Sequence, residues 1–271
     1  MSEDQSLRFP WEAELRKRLD AGDIQGAFDC ARVQWVRLQS IKPEHTVVDG
    51  QAIVDPPKRA ELSAAIRWAH TLAPVWREPI RHGSISLRKS DETDYPFFHQ
   101  SHQDEAFRRR FSRRPWWRGD LASALSAYAR SHPRETGLMY WTILHDDQRV
   151  GLASLSQIDF THGRAEFSIG LPGKPPAGVA HLASLMVLQF AFFRIRLHKI
   201  YTYVYEDNPE AVQATLRLGF HQEGWLRDHF RFDQSHVSVF AFGLTIDQLL
   251  NHTGLVKAIE RRLRFKVRDP G

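Results

Sequence analysis

Three successive stretches alternate apolar and polar side chains with the period of two expected of half-buried strands: Met139–His145, Arg149–Ile158 and Arg164–Leu171. Asp146-Asp147 separates the first pair and Thr161-His162-Gly163 the second, so the spacing predicts hairpins. A Gly/Pro loop, Pro172–Gly178, then opens onto an apolar segment, Val179–Arg196, that predicts a buried helix. Its longest apolar run, Leu182–Phe193, contains Ser184 and Gln189 and stops at Arg194, short of the roughly 20 residues a bilayer span needs. Lys199–Tyr205 is a further strand-like run. Pro209–Leu218 predicts a helix capped by Asn208 and ended by Gly219. Phe220–Phe232 and His236–Leu244 predict a last hairpin around Asp233-Gln234-Ser235, and a short helix at Ile246–Leu250 leads to a basic tail. This order predicts an α/β fold of the α+β type, built on a mixed sheet. Its three successive strands from Met139 to Leu171 lack intervening helices, which excludes a doubly wound arrangement.

The chain before this core has another character. Leu15, Leu19, Ile24, Ala27, Phe28 and Ala31 recur at helical spacing around the turn-like Ala21-Gly22-Asp23. Residues 42–57 read as a loop, Lys58–Leu72 as a helix, and Pro79, His82 and Gly83 as a boundary. Ser84–Arg88 alternates like a strand, Ser90–Asp91 reads as a helix start, and Asp120–Arg130 as another helix. The expected organisation is therefore a helical module at 1–82, a main domain at 83–250 and a basic tail at 251–271.

Composition narrows the chemistry. In 271 residues, 37 Lys+Arg face 32 Asp+Glu for a net charge of +5, and 42% hydrophobic residues are enough to build a core. That charge is too dispersed for a nucleic-acid binder, so neither nucleic acid nor membrane is an expected partner. Cys30 is the sole cysteine, which excludes an internal disulfide and a cysteine-built zinc site. Residues 2–20 carry no secretory pattern, and a cytoplasmic location is expected. Fourteen histidines include His99 and His102 at a three-residue spacing, but no HExxH accompanies them and no metal is expected. No Gly-x-Ser-x-Gly elbow is present, which argues against a covalent serine mechanism. One segment does concentrate charge: Arg108, Arg109, Arg110, Arg113, Arg114 and Arg118, with Trp116 and Trp117 among them.

Several short motifs occur together in a set order: Gln148-Arg149-Val150-Gly151, Arg164 to Gly170, Leu197-His198-Lys199-Ile200, Asn208 followed by Leu218-Gly219-Phe220, and Glu223-Gly224-Trp225-Leu226-Arg227. In that order, over roughly 84–245, the chain resembles the GNAT N-acetyltransferases, in the branch of ribosomal-protein amino-terminal and amino-sugar acetyltransferases. The resemblance implies the GNAT acyl-CoA N-acyltransferase fold, with acetyl-CoA as co-substrate and direct transfer to a primary amine. The family's loop, Arg/Gln-x-x-Gly-x-Gly/Ala, is matched by Pro175-Pro176-Ala177-Gly178-Val179-Ala180. A helix N-terminus there would hold the pyrophosphate. Pro175 replaces the usual Arg/Gln, the two prolines remove two N–H donors, and Lys174 supplies a charge beside them. Ile169, Leu171, Lys174, Ala177, Gly178, Val179, Ala180 and Asn208 are the implied cofactor-binding residues.

The resemblance also implies Glu166 as general base, backbone amides on the strand ending near Leu171 for the developing charge, and Asn208 at the pantetheine arm. Thr215 stands where relatives carry an acidic tyrosine and Ala211 where they often carry serine, which leaves Tyr205, Tyr203 or a water as the acid. Arg113, Arg114, Trp116 and Trp117 fall where the fold borders its acceptor site. An amino sugar on a nucleotide, a protein amino terminus and a small amine all remain open as acceptors. Two alternatives stand beside this reading, an acyltransferase fed by an acyl carrier protein and a binding module without catalysis. A second copy of the chain is a candidate partner.

Overall fold

The computed structural model describes residues 13–14, 17–18, 21, 26, 30, 47–48, 51–52, 76, 78–111, 121–131, 133–232 and 235–267. Its contacts divide the chain into two compact units, Met1–Arg77 and Glu78–Gly271. In the first, residues 13–14, 17–18, 26 and 30 are helical, and Arg18 Nε donates to Glu14 Oε1 at 2.7 Å across one turn. Val47–Val48 and Gln51–Ala52 pair as an antiparallel ladder, within the stretch that the sequence reads as a loop.

The second unit is built on a sheet of eight strands: β1 (Ile80–His82), β2 (Ile85–Lys89), β3 (Met139–His145), β4 (Gln148–Asp159), β5 (Arg164–Gly170), β6 (Lys199–Tyr205), β7 (His221–Phe232) and β8 (Ser235–Thr245). They lie in the order β1-β2-β3-β4-β5-β6-β8-β7. Every neighbouring pair is antiparallel except β5–β6. The strand β1, which the sequence boundary at 82 places outside the main domain, pairs with β2 inside this unit. Asp146 and Asp147 take φ 47° and 60°, the left-handed pair that a two-residue turn with the sheet's own twist demands.

Helices cover both faces. On one side lie α1 (Tyr95–Gln103), α2 (Glu105–Phe111) and α3 (Leu121–Arg130), followed by the single turn α4 (Pro133–Thr136). Phe98, Phe107, Leu125 and Leu152 form their core, with Phe111 and Tyr140 packed against it. His102 sits in this layer, 6% exposed, with its ring edge-on to Phe107. Burial, and then the charge of Arg108, lowers its pKa to about 4, so it packs as a neutral ring. Among the described residues no three His, Cys, Asp or Glu stand together as a metal site.

The helix α5 (Val179–Gln189) covers the other face and makes the crossover that the parallel pair β5–β6 requires. Ala183 to Leu188 are all buried, and Ser184 is tolerated because its hydroxyl donates to the Ala180 carbonyl at 2.8 Å. The predicted continuous helix to Arg196 widens instead into a π-helical turn over Phe190–Arg194, which sets Phe190 edge-on to Trp141 at 5.3 Å. No described helix is long and apolar enough to cross a membrane. Then come α6 (Pro209–Arg217), α7 (Ile246–Asn251) and α8 (Thr253–Leu263). The last is a correction. Residues read as a basic tail form an amphipathic helix that buries Leu255 and Ile259 and packs on α5, because its apolar positions recur at helical spacing among the charges.

The entrance to α1 is pinned by charge. Asp94 is fully buried; its Oδ1 accepts from Arg88 Nη2 at 2.6 Å and from Arg149 Nε at 2.7 Å, and its Oδ2 from the Asp91 amide at 3.0 Å. Arg88 also reaches Asp91 Oδ2 at 2.6 Å. One carboxylate thereby joins β2, β4 and the helical layer.

Candidate active site

Where β5 and β6 run parallel they pair only over Arg164↔Lys199, Ala165↔Ile200 and Glu166↔Tyr201. Past Glu166 the two strands part. The β5 edge from Phe167 to Gly170 therefore offers alternating N–H and C=O groups that β6 does not pair. A cavity of about 730 Å³ fills the gap, lined on the β5 side by Glu166 to Leu171 and on the other by Tyr203, Tyr205, Asn208 and the α6 residues Ala211, Ala214 and Thr215.

The roof is α2. A Cβ on Gly170 would lie 2.4 Å from the Phe111 ring and 2.9 Å from that of Phe107, so only glycine lets this helix close on the strand. Phe107 and Phe111 stack at 5.1 Å, so a shift of one ring disturbs the other. Gly170→Ala should cost about 1–3 kcal/mol of overpacking. The variant should melt lower by thermal denaturation and also bind acetyl-CoA more weakly; an unchanged melting temperature would contradict this packing.

Register decides what faces the cavity. Ser156↔Glu166 and Ser154↔Ser168 on β4–β5, Tyr140↔Ser154 on β3–β4, and Glu166↔Tyr201 on β5–β6 place these side chains on one face of the sheet. Tyr201, Tyr203 and Tyr205 continue that face along β6 by alternation. Gln157 Nε2 donates to Glu166 Oε2 at 3.1 Å, and Tyr201 Oη donates to Gln157 Oε1 at 3.3 Å. Burial, and next the charge of Glu166, raises the pKa of Tyr201. Tyr140 is raised by burial first, against a lowering hydrogen bond with Ser154, with Glu166 again adding to the rise. Both phenols are thus held protonated beside the carboxylate.

The predicted residues divide. Glu166, Ile169, Leu171, Ala180, Tyr205 and Asn208 all line the cavity. Asn208 Oδ1 accepts from the Ala211 amide at 3.1 Å as the predicted helix cap, and its Nδ2 reaches the Arg110 carbonyl at 3.5 Å, which ties α6 to α2. Gly178 opens α5 at φ 84°, with nothing within 4 Å of where a Cβ would stand. Lys174 and Ala177 lie exposed in the loop before it. Val179 departs from expectation: its side chain is buried at 2% exposure and its amide donates to the Pro176 carbonyl at 3.3 Å. The Leu182 amide bonds the Gly178 carbonyl, and the amides of Ala180 and His181 open the helix without an intrahelical acceptor. Burial, and then the charges of Arg262 and Arg217, lowers the pKa of His181, so two guanidinium groups stand near this helix start. Arg113, Arg114, Trp116 and Trp117 lie outside the described residues. Of the same cluster, Arg109 and Arg110 meet Asp207 at 3.9 Å and Glu210 at 3.5 Å across the α2–α6 junction.

Tyr140, Ser154, Gln157 and Tyr201 were not singled out from the sequence. Only the alternation Tyr201-x-Tyr203-x-Tyr205 signals in advance that one β6 face is phenolic. The others need the strand register.

An open strand edge that can hydrogen-bond an amide-bearing arm ends at a helix N-terminus suited to phosphate, and a carboxylate sits at its other end. This arrangement defines a transferase that takes its group from a phosphate-bearing donor. The chain matches the Acetyltransferase (GNAT) domain over residues 84–221 and belongs to that family of acetyltransferases. It is an N-acetyltransferase, an acyltransferase that uses acetyl-CoA and an amine acceptor. Among curated relatives, spermidine N(1)-acetyltransferase of Escherichia coli (strain K12) is 27% identical over 148 residues, 54% of this chain and 78% of that protein. The spermidine N(1)-acetyltransferase of Vibrio cholerae serotype O1 is 31% identical over 114 residues, 41% of this chain and 66% of that one. The crystal structure of spermidine N-acetyltransferase from Vibrio cholerae in complex with CoA and spermine aligns with a TM-score of 0.55 at 23% identity, covering 62% of this chain and 99% of that one. A likeness at this level shows the fold.

Proposed function

We propose that the acceptor is a small aliphatic polyamine and that Glu166 takes the proton its amine gives up. The supporting observation is the surroundings of Glu166: its carboxylate lies among the hydroxyls of Tyr140 and Tyr201, at the point where β5 and β6 part. An ammonium ion is drawn there by the carboxylate and by the phenolic ring faces. Once deprotonated, the amine attacks the thioester carbonyl at the β5 edge. Amides of Phe167 to Gly170 that point into the gap stabilise the negative oxygen, and Tyr205, or a water beside it, returns a proton to the departing thiolate. Asn208 acts by placing α6, since its side chain is engaged by Ala211 and Arg110.

Acetyl-CoA fits the other end. Gly178 leaves open space at the start of α5, the Ala180 and His181 amides face outward from the first turn, and Arg217 and Arg262 bring the positive charge that the two prolines do not. This arrangement favours free acetyl-CoA as donor over a carrier protein. The whole chain, with its N-terminal unit, is then a cytoplasmic small-amine acetyltransferase.

Thiol release from acetyl-CoA across a panel tests the acceptor. Spermidine and spermine should turn over at least about ten-fold faster in kcat/KM than a peptide with a free amino terminus or a nucleotide-linked amino sugar. The reverse order would overturn the polyamine reading.

A further inference from the structure

We propose that Gln157 is a positioning residue for acetyl transfer, its side-chain amide holding the Glu166 carboxylate in the orientation that receives the acceptor's proton. The inference rests on the reading of Glu166 as base and adds a residue to it. Between Ser156↔Glu166 and Asp159↔Arg164, three steps along β4 are matched by two along β5, so β4 carries one extra residue. Strict alternation would turn Gln157 away from Ser156 and hence away from Glu166. The bulge reverses this. Gln157 adopts φ 50°, a conformation that costs a non-glycine residue energy, and its side chain joins the face occupied by Glu166 and Tyr201, while Ile158 goes into the core at 7% exposure.

The two ends of the amide are then distinguished. The Tyr201 hydroxyl donates to Oε1, so Nε2 is the end presented to Glu166 Oε2 at 3.1 Å. Tyr201 remains protonated beside the carboxylate and keeps this polarity. Three elements therefore aim one carboxylate: β4 supplies the amide, β6 the hydroxyl that orients it, and β5 the carboxylate itself. The other titratable or charged groups around this point include Tyr140 on β3, Asp159 at the end of β4, Arg164 on β5, Tyr203 and Tyr205 on β6, Asp104 and Arg110 from the α2 side of the cavity, and Glu210 from α6. A donor to the ionised carboxylate favours that form, so its loss makes Glu166 easier to protonate.

Gln157→Leu keeps the side chain's bulk and removes both hydrogen bonds. Carboxyl resonances of 13C-glutamate-labelled protein, with Glu166 assigned by its disappearance in Glu166→Gln, give the titration of this group without requiring turnover. The midpoint for Glu166 should move up by roughly one pH unit in Gln157→Leu. The acid limb of kcat/KM for spermidine should move with it, while the KM for acetyl-CoA stays within about two-fold. A Glu166 midpoint that does not move in a folded Gln157→Leu protein overturns the role of Gln157, even where Glu166→Gln is inactive. If Glu166→Gln turns over like the parent, the base assignment falls and the Gln157 role falls with it. Gln157→Glu places a second carboxylate at the contact and should raise the midpoint further.

Discussion

Glu166→Gln should lower kcat by about 10²-fold or more near neutral pH, the usual contribution of a positioned base. The side chain keeps its size and one oxygen but cannot accept the ammonium proton. The deficit should shrink as pH rises, because the free-amine form of the acceptor grows about ten-fold per unit below its own pKa and needs the base less. The KM for acetyl-CoA should hold, since the proposed path of the donor arm runs along the β5 edge and α5 and does not use the carboxylate. Initial rates of CoA release between about pH 6 and pH 9, with acetyl-CoA varied at saturating amine, check all three parts. A variant with parental kcat at neutral pH would remove Glu166 from the chemistry.

Asp94→Ala should cost about 2–4 kcal/mol of stability. It removes a fully buried carboxylate and takes from Arg88 and Arg149 the partner they share, leaving Arg88 its contact with Asp91 and Arg149 its contacts with Thr93. Breaking a buried ion pair from one side costs about 3–5 kcal/mol, and the partial exposure of both arginines reduces that figure. For a unit of this size the melting temperature should fall by roughly 5–12 °C. Asp94→Asn preserves shape and one acceptor oxygen and should fall in between. Calorimetry on the two variants reads the difference directly, and a melting temperature within a degree or so of the parent for Asp94→Ala would show that Asp94 joins nothing. Activity should suffer too, because this contact fixes the entrance of the helical layer whose α2 roofs the cavity.

Much of the main unit could be read along the chain because its signals are local. The alternation in Met139–His145 and Lys199–Tyr205 marks both strands to the residue, and Asn208 and Gly219 bound α6 as a cap and a left-handed end should. Where the structure differs from the local pattern, distant packing accounts for two cases. The π turn after Gln189 sets Phe190 against Trp141, a partner far away in sequence that no local pattern names. The helix at Thr253–Leu263 resembles a tail because its two buried residues, Leu255 and Ile259, are outnumbered by charges; the surface they cover belongs to other elements. Val179 matches a small-residue loop by position, yet its amide is taken by Pro176, a local closure that the motif does not reveal.

By itself, the sequence determined the order of strands and helices, the helix cap at Asn208, the glycine that opens α5 and the identity of Glu166 as the carboxylate to test. The order of elements and the cap follow from backbone preference and short-range periodicity, whereas Glu166 is marked by the resemblance of its motif to the acetyltransferase family. Only the tertiary structure decided what surrounds that carboxylate. Tyr140, Gln157 and Tyr201 come from three other strands and meet it through register, and one extra residue in β4 turns Gln157 onto its face. The parting of β5 and β6 is likewise a property of the sheet. Register and splay are set by the packing of distant segments against each other, and no local pattern carries that information.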